Sequence, residues 1–150
     1  MVISKIMKGI LAATIMTASM ATTVQAADVS CPSASDVQGT SRALNTVMRQ
    51  SKSSYFVFTA QPALNTSGLN WMVLSMASGN GFDAAYTSAA NDVKAVAMAA
   101  NEEPIEQQGV YICAYFTSAG GMSVMAVAQQ QQGLTFNPSM LKLDAIRANK

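Results

Sequence analysis

The 150-residue chain contains no histidine, only two cysteines and few charged residues. Histidine is the commonest general base and a frequent ligand of zinc, copper and haem iron, so its absence argues against many catalytic and metal sites. The sequence also lacks a G-x-S-x-G elbow and a C-x-x-C pair, which argues against a serine hydrolase and a thioredoxin-type oxidoreductase. We therefore predict a protein that is not an enzyme and holds no metal.

Charged residues make up 11% of the chain. Two of the nine basic residues lie in the first 26 positions, so seven remain beyond them against eight acidic residues, and the net charge there is close to −1. Nucleic-acid binding requires a clustered basic face that neutralises phosphates. No such cluster is present in the sequence, and we expect no nucleic-acid partner.

Residues 1–26 have the layout of a secretory signal peptide. Two lysines precede an uncharged apolar run over 9–20, and the small residues Val24 and Ala26 stand at the −3 and −1 positions of an A-x-A-like cleavage site. The apolar run falls short of the roughly 20 residues that a membrane span needs, so cleavage is favoured over an uncleaved anchor. We expect 27–150 to be a single exported domain, periplasmic or secreted, without a membrane span.

Cys31 and Cys113 are the two cysteines of the chain. Disulfides form and persist outside the cytoplasm, so the simplest expectation is that the two pair. The chain-entropy estimate for a loop of about 80 residues is about 4 kcal/mol of stabilisation. The alternative, a reactive Cys113 thiol, requires an imidazole or a cation nearby, and its sequence neighbours supply neither.

Residue periodicity predicts the secondary structure of the exported part. Apolar residues recur every three or four positions over 34–50 and 82–100, which predicts two helices. Runs rich in aromatic and β-branched residues predict strands; these strands cover 55–60, 69–77, 110–117 and 122–129. The order α-β-β-α-β-β predicts an α+β two-layer sandwich, in which an antiparallel four-stranded sheet carries two helices and one disulfide.

Two further segments are interpreted from their composition. Glu102, Glu103 and Glu106 surround Pro104, and such acidic residues in a connector are more often a solvated loop than an acid–base pair. The tail after residue 130 is expected to add a short strand and a brief helix carrying Leu141, Leu143 and Ile146.

Tyr111 and Tyr115 flank Cys113 on one face of its predicted strand. With Phe56 or Trp71 they are candidates to line a groove for a flat or apolar ligand. Packing around a disulfide accounts for the same pattern, so both interpretations are open at this point.

Three stretches resemble a family of small bacterial secreted proteins, a domain of unknown function that includes a hemin-binding protein. They are "DVSCPSASDVQ" at the start of the exported part, "GLNWMVLS" in its centre and "GVYICAYF" late in the chain. The resemblance extends over nearly the whole exported part and implies export and haem acquisition. Without histidine, a tyrosine or a methionine would have to serve as the axial haem ligand.

Two functional hypotheses follow. The first is a non-enzymatic exported protein that binds a partner protein or serves as an accessory module of the bacterial envelope or secretome. The second is a carrier of haem or a similar apolar ligand, bound by the aromatic residues beside Cys113.

Overall fold

A computed structural model describes residues 28–130 of the chain. They form two helices, one 3-10 turn and a single antiparallel sheet of eight strands. In chain order the elements are α1 (Ala34–Gly39), the 3-10 turn (Thr40–Arg42), β1 (Thr46–Arg49), β2 (Ser54–Phe58), β3 (Leu64–Thr66), β4 (Leu69–Ser78), α2 (Phe82–Lys94), β5 (Val96–Ala99), β6 (Ile105–Gln107), β7 (Val110–Thr117) and β8 (Met122–Gln129).

The predicted four-stranded sheet with two helices is wrong. Both helices are shorter than predicted, with 6 and 13 residues, and the segments that leave them become strands. Thr46–Arg49 pairs with β2, and Val96–Ala99 pairs with β7. The first helix ends at Gly39, a weak helix former, and the β-branched Thr46 and Val47 favour a strand beyond it.

Two short strands, β3 and β6, were not predicted. Each pairs with the strand after it across a two-residue turn. Ser67 and Gly68 have φ of 53° and 71°, and Gln108 and Gly109 have φ of 52° and 77°. Two consecutive positive φ values are the mark of a type I′ turn, whose twist matches that of the flanking strands. Part of the segment predicted as an acidic loop is therefore strand.

The described chain consists of two similar halves that meet at the centre of the sheet. Residues 34–78 contain α1 and four strands, and residues 82–129 contain α2 and four strands. The strand order is β1-β2-β4-β8-β7-β5, so the last strand of each half is central. Each helix contacts strands of the other half, α1 on β5 and α2 on β2 and β4. These contacts between helices and strands of different halves join the two halves.

The two faces of the sheet form separate apolar clusters. The first face lies under α1 and α2, whose inward residues include Val37, Ala85, Ala89 and Val93. The second face consists of side chains that alternate with those of the first, as strand geometry requires. Its centre is Phe56, Leu74, Ile112, Ala114, Met125 and Val127, and its rim is Met48, Phe58, Met76, Ala100, Ile105, Val110 and Met122.

Two glycines set the turn from β4 into α2. A Cβ on Gly79 would lie 2.9 Å from the main-chain nitrogen of Ala85, so this position requires a residue without a side chain. Gly81 has a φ of 146°, which residues with a Cβ rarely adopt. The turn places Phe82 at the beginning of α2, beside the end of β4.

Candidate functional site

The disulfide between Cys31 and Cys113 confirms the predicted pairing. Its Cα atoms lie 5.7 Å apart and its cysteines are separated by 82 positions. Cys113 is buried on the first face, while Cys31 precedes α1. Because both sulfurs are bonded, neither is available as a nucleophile.

A hydrogen bond reinforces the same junction. The hydroxyl of Tyr115 donates to the carbonyl oxygen of Pro32 at 2.7 Å, and the Tyr115 side chain is fully buried. Burial first, and then the negative charge of Asp36, raises the pKa of the Tyr115 phenol above its ordinary value. We call the disulfide and this hydrogen bond together the clasp.

Two further contacts extend the clasp to the edge of the sheet. The main-chain nitrogen of Cys31 donates to the carbonyl of Glu102 at 2.9 Å. The side-chain amide of Gln38 donates to the carbonyl of Val96 at 2.6 Å. The segment before and within α1 is thus bound covalently and by hydrogen bonds to β5, to β7 and to the connection between β5 and β6.

Three of the four aromatic residues proposed for a ligand groove, Tyr111, Tyr115 and Trp71, lie in the cluster on the first face. Tyr115 and Trp71 are fully buried on the first face, and the Trp71 indole donates to the carbonyl of Thr66 at 3.1 Å. Phe56 lies on the second face, across the sheet from the other three. Tyr111 is partly buried and lines a surface cleft.

The Tyr111 cleft has a volume of about 420 Å³. Its lining includes the carboxylate residues Asp28, Glu102, Glu103 and Glu106. Among residues 28–130, no three His, Cys, Asp or Glu side chains are grouped so that they could hold a metal ion. The negative charge of this cleft also disfavours an anionic ligand such as a haem propionate.

A second cleft, of about 500 Å³, lies at the other end of the sheet, where β4 turns into α2. Phe82 at the beginning of α2 lines this cleft with 57% of its surface exposed, and Tyr86, one turn later on α2, is 37% exposed. The Phe82 ring contacts Tyr55 edge to face, with 5.6 Å between ring centroids. Arg49 lies over the Tyr55 ring, 5.8 Å from its centroid. We call Arg49, Lys52, Tyr55, Phe82 and Tyr86 the Phe82 patch.

Hydrogen bonds hold the cationic part of this patch in place. The Arg49 guanidinium donates to the carbonyl of Ser51 at 3.1 Å and to that of Lys52 at 3.0 Å. Arg49 is therefore fixed against Tyr55 by both its ring contact and its backbone contacts. Such fixed side chains lose little conformational freedom when a ligand binds.

The sequence analysis missed the Phe82 patch. Phe82 and Tyr86 are part of the apolar periodicity over 82–100 that predicts the second helix, but the buried residues of α2 are Ala85, Ala89 and Val93. The glycine-rich turn before Phe82 marks the beginning of the helix, but it does not indicate which side chains of the helix are exposed.

Comparisons with protein-family models, with curated proteins and with solved structures find no match to this chain. The likeness to the secreted family that includes a hemin-binding protein stays a prediction.

Proposed function

We propose that this protein is an exported, non-enzymatic binding module of the bacterial envelope or secretome, and that it recognises a partner protein through the Phe82 patch. The observation that carries the proposal is a pair of exposed aromatic side chains on α2, of which Phe82 lines a cleft together with Arg49 and Lys52. The clasp supports the non-enzymatic part, since it engages the sulfurs and the Tyr115 phenol in structural contacts.

Export is supported by the disulfide, because such bonds persist mainly outside the cytoplasm. Within the described part of the chain, no helix combines the length and apolar character needed to cross a membrane. The predicted signal peptide, residues 1–26, lies outside the described residues.

The composition of the Phe82 patch favours protein recognition. Tyrosine, other aromatic residues and arginine are enriched at the energetic centres of protein interfaces, where a few anchors supply most of the affinity. Phe82 and Tyr86 lie four residues apart on α2, so they project from the same side of the helix. The Phe82 ring packs against Tyr55, and this contact limits the conformational entropy that Phe82 loses when a partner binds.

The charge of the patch indicates the chemistry of the partner. Arg49 and Lys52 line the same cleft as Phe82. Opposite charges across an interface raise the association rate and set the orientation of the partner. We therefore expect a partner surface that places carboxylates next to an apolar side chain.

A comparison of variants tests this function. The purified protein is immobilised and exposed to envelope and secreted proteins of the organism that makes it, in parallel with a Phe82→Ser, Tyr86→Ser double variant. Met98→Ser is the matched control, because Met98 is 60% exposed on β5 and lies outside the patch. We expect a partner that is retained by the wild type and by the control but lost by the double variant.

The retained partner is then purified and its affinity measured by calorimetry. Loss of both anchors is expected to weaken binding at least about tenfold, and Arg49→Gln is expected to reduce the dependence of binding on salt. Equal retention by all three proteins, or no partner retained by the wild type, contradicts the proposal.

A further inference from the structure

The second face of the sheet is buried although no described element lies over it. Its six central side chains are at most 6% exposed. Every one of them lies on a strand, whereas the inward residues of both helices belong to the cluster on the first face. An apolar sheet face requires a second layer to exclude water, and residues 28–130 supply that layer only on the first face.

We propose that the second face is an interaction surface whose occupant is the chain's own C-terminal segment, residues 131–150. The proposal is independent of the Phe82 patch, which lies at the beginning of α2. It identifies the segment that completes the core.

The position of β8 supports this assignment. β8 is one of the two central strands of the sheet and ends at Gln129. The main-chain nitrogen of Gln130 donates to the carbonyl of Gly109 at 3.1 Å, which fixes where the chain leaves the sheet. Residues 131–150 follow Gln130 in the sequence.

The composition of the segment matches the surface. The second face presents Phe, Leu, Ile, Val, Ala and Met side chains without a charge. The segment carries six large apolar residues, Leu134, Phe136, Met140, Leu141, Leu143 and Ile146. Met140, Leu143 and Ile146 are spaced by three in the sequence, and in a helix this spacing would put the three side chains on one side. Rim residues Met48, Met76 and Met122 have flexible side chains that adapt to such a partner.

The N-terminal segment is the weaker candidate for the same role. Residues 1–26 have the features of a signal peptide that is removed on export. A layer built from them would be lost from the mature protein and would leave this apolar face exposed, whereas soluble monomers rarely expose large apolar patches.

Site-specific photo-crosslinking of the disulfide-bonded protein tests the proposal. Benzoylphenylalanine is placed at position 143 in one sample and at position 142, normally a lysine, in the control. We expect crosslinks from position 143 to strand residues of the second face, such as Leu74 and Met125, within one monomer. Crosslinks to the first face overturn the assignment. Crosslinks between two chains also overturn it and identify a second copy of the chain as the cover.

A second measurement does not depend on the crosslinker. Leu143→Asp combined with Ile146→Asp is expected to lower the Tm by about 10 °C or more, as expected when buried aliphatic side chains are replaced by charges. The same variant is expected to bind the apolar dye ANS, while the control Lys142→Asp retains the wild-type Tm and binds no dye. A double variant with an unchanged Tm and no dye binding overturns the proposal.

Discussion

The hydroxyl of Tyr115 donates a hydrogen bond to the carbonyl oxygen of Pro32, which lies 83 positions earlier in the chain. The same two segments are joined covalently by Cys31 and Cys113. The clasp therefore joins the segment before α1 to β7 by two different kinds of bond.

Tyr115→Phe is expected to destabilise the fold. Removal of the hydroxyl leaves the buried Pro32 carbonyl without its donor, which typically costs about 1–3 kcal/mol. Urea denaturation measures the change in the free energy of unfolding. Tyr111→Phe is the matched control, since Tyr111 lines an open cleft, and a change within about 0.5 kcal/mol is expected there. Equal effects of the two substitutions contradict the role assigned to Tyr115.

Alkaline pH is expected to weaken the protein through the same residue. Burial and the charge of Asp36 raise the pKa of Tyr115 above its ordinary value of 10. The unfolded chain releases this proton at lower pH than the folded chain, so the stabilisation is fully present below about pH 10 and is lost as the pH rises further. The expected slope approaches about 1.4 kcal/mol per pH unit. Denaturation curves of Tyr115→Phe should lack this part of the pH dependence.

Ser75→Ala is expected to stabilise the protein. Ser75 is fully buried on β4, and its hydroxyl has no hydrogen-bond partner among the described residues. Removing an unpaired buried hydroxyl gains about 1 kcal/mol. Thr59→Val is the control, because the buried Thr59 hydroxyl has a partner: it accepts a hydrogen bond from the Val73 main-chain nitrogen at 3.1 Å. Its loss is expected to lower the stability, and the opposite signs distinguish the two sites in thermal unfolding.

Hemin is expected to leave no spectroscopic trace of binding. Tyr115 and Trp71 are buried in the core, Phe56 lies on the opposite face, and the Tyr111 cleft is lined by carboxylates. Titration of the purified protein should therefore give the Soret band of free hemin. A Soret shift that disappears in Tyr111→Phe would support the haem carrier instead.

Local sequence signals predicted the central hairpins and the disulfide. The apolar runs over 110–117 and 122–129 and the glycines between them indicate a hairpin, and β7 and β8 have those bounds. Two cysteines allow a single intramolecular pairing. The hairpins depend on residues that are close in sequence, and the disulfide follows from the presence of two cysteines. Both can therefore be predicted without knowledge of the fold.

The features that sequence analysis missed depend on tertiary contacts. Val47 fits a helical stripe as well as a strand, and its pairing with Val57 decides between them. Val96 continues the helical spacing of α2, but it pairs with Thr117 instead. The exposure of Phe82 also depends on how α2 lies on the sheet. The spacing of apolar residues indicates which side of a helix is apolar, but it does not show which residues of that side are covered by the sheet.

Thiol labelling of the protein as it is secreted or recovered from the periplasm tests the clasped, exported state most directly. A thiol-reactive probe with mass detection is applied to the denatured protein before and after reduction. We predict no labelled cysteine before reduction and labels on both Cys31 and Cys113 after it. Labels on both cysteines of the unreduced protein would contradict the disulfide, and with it the non-enzymatic binding module that we propose.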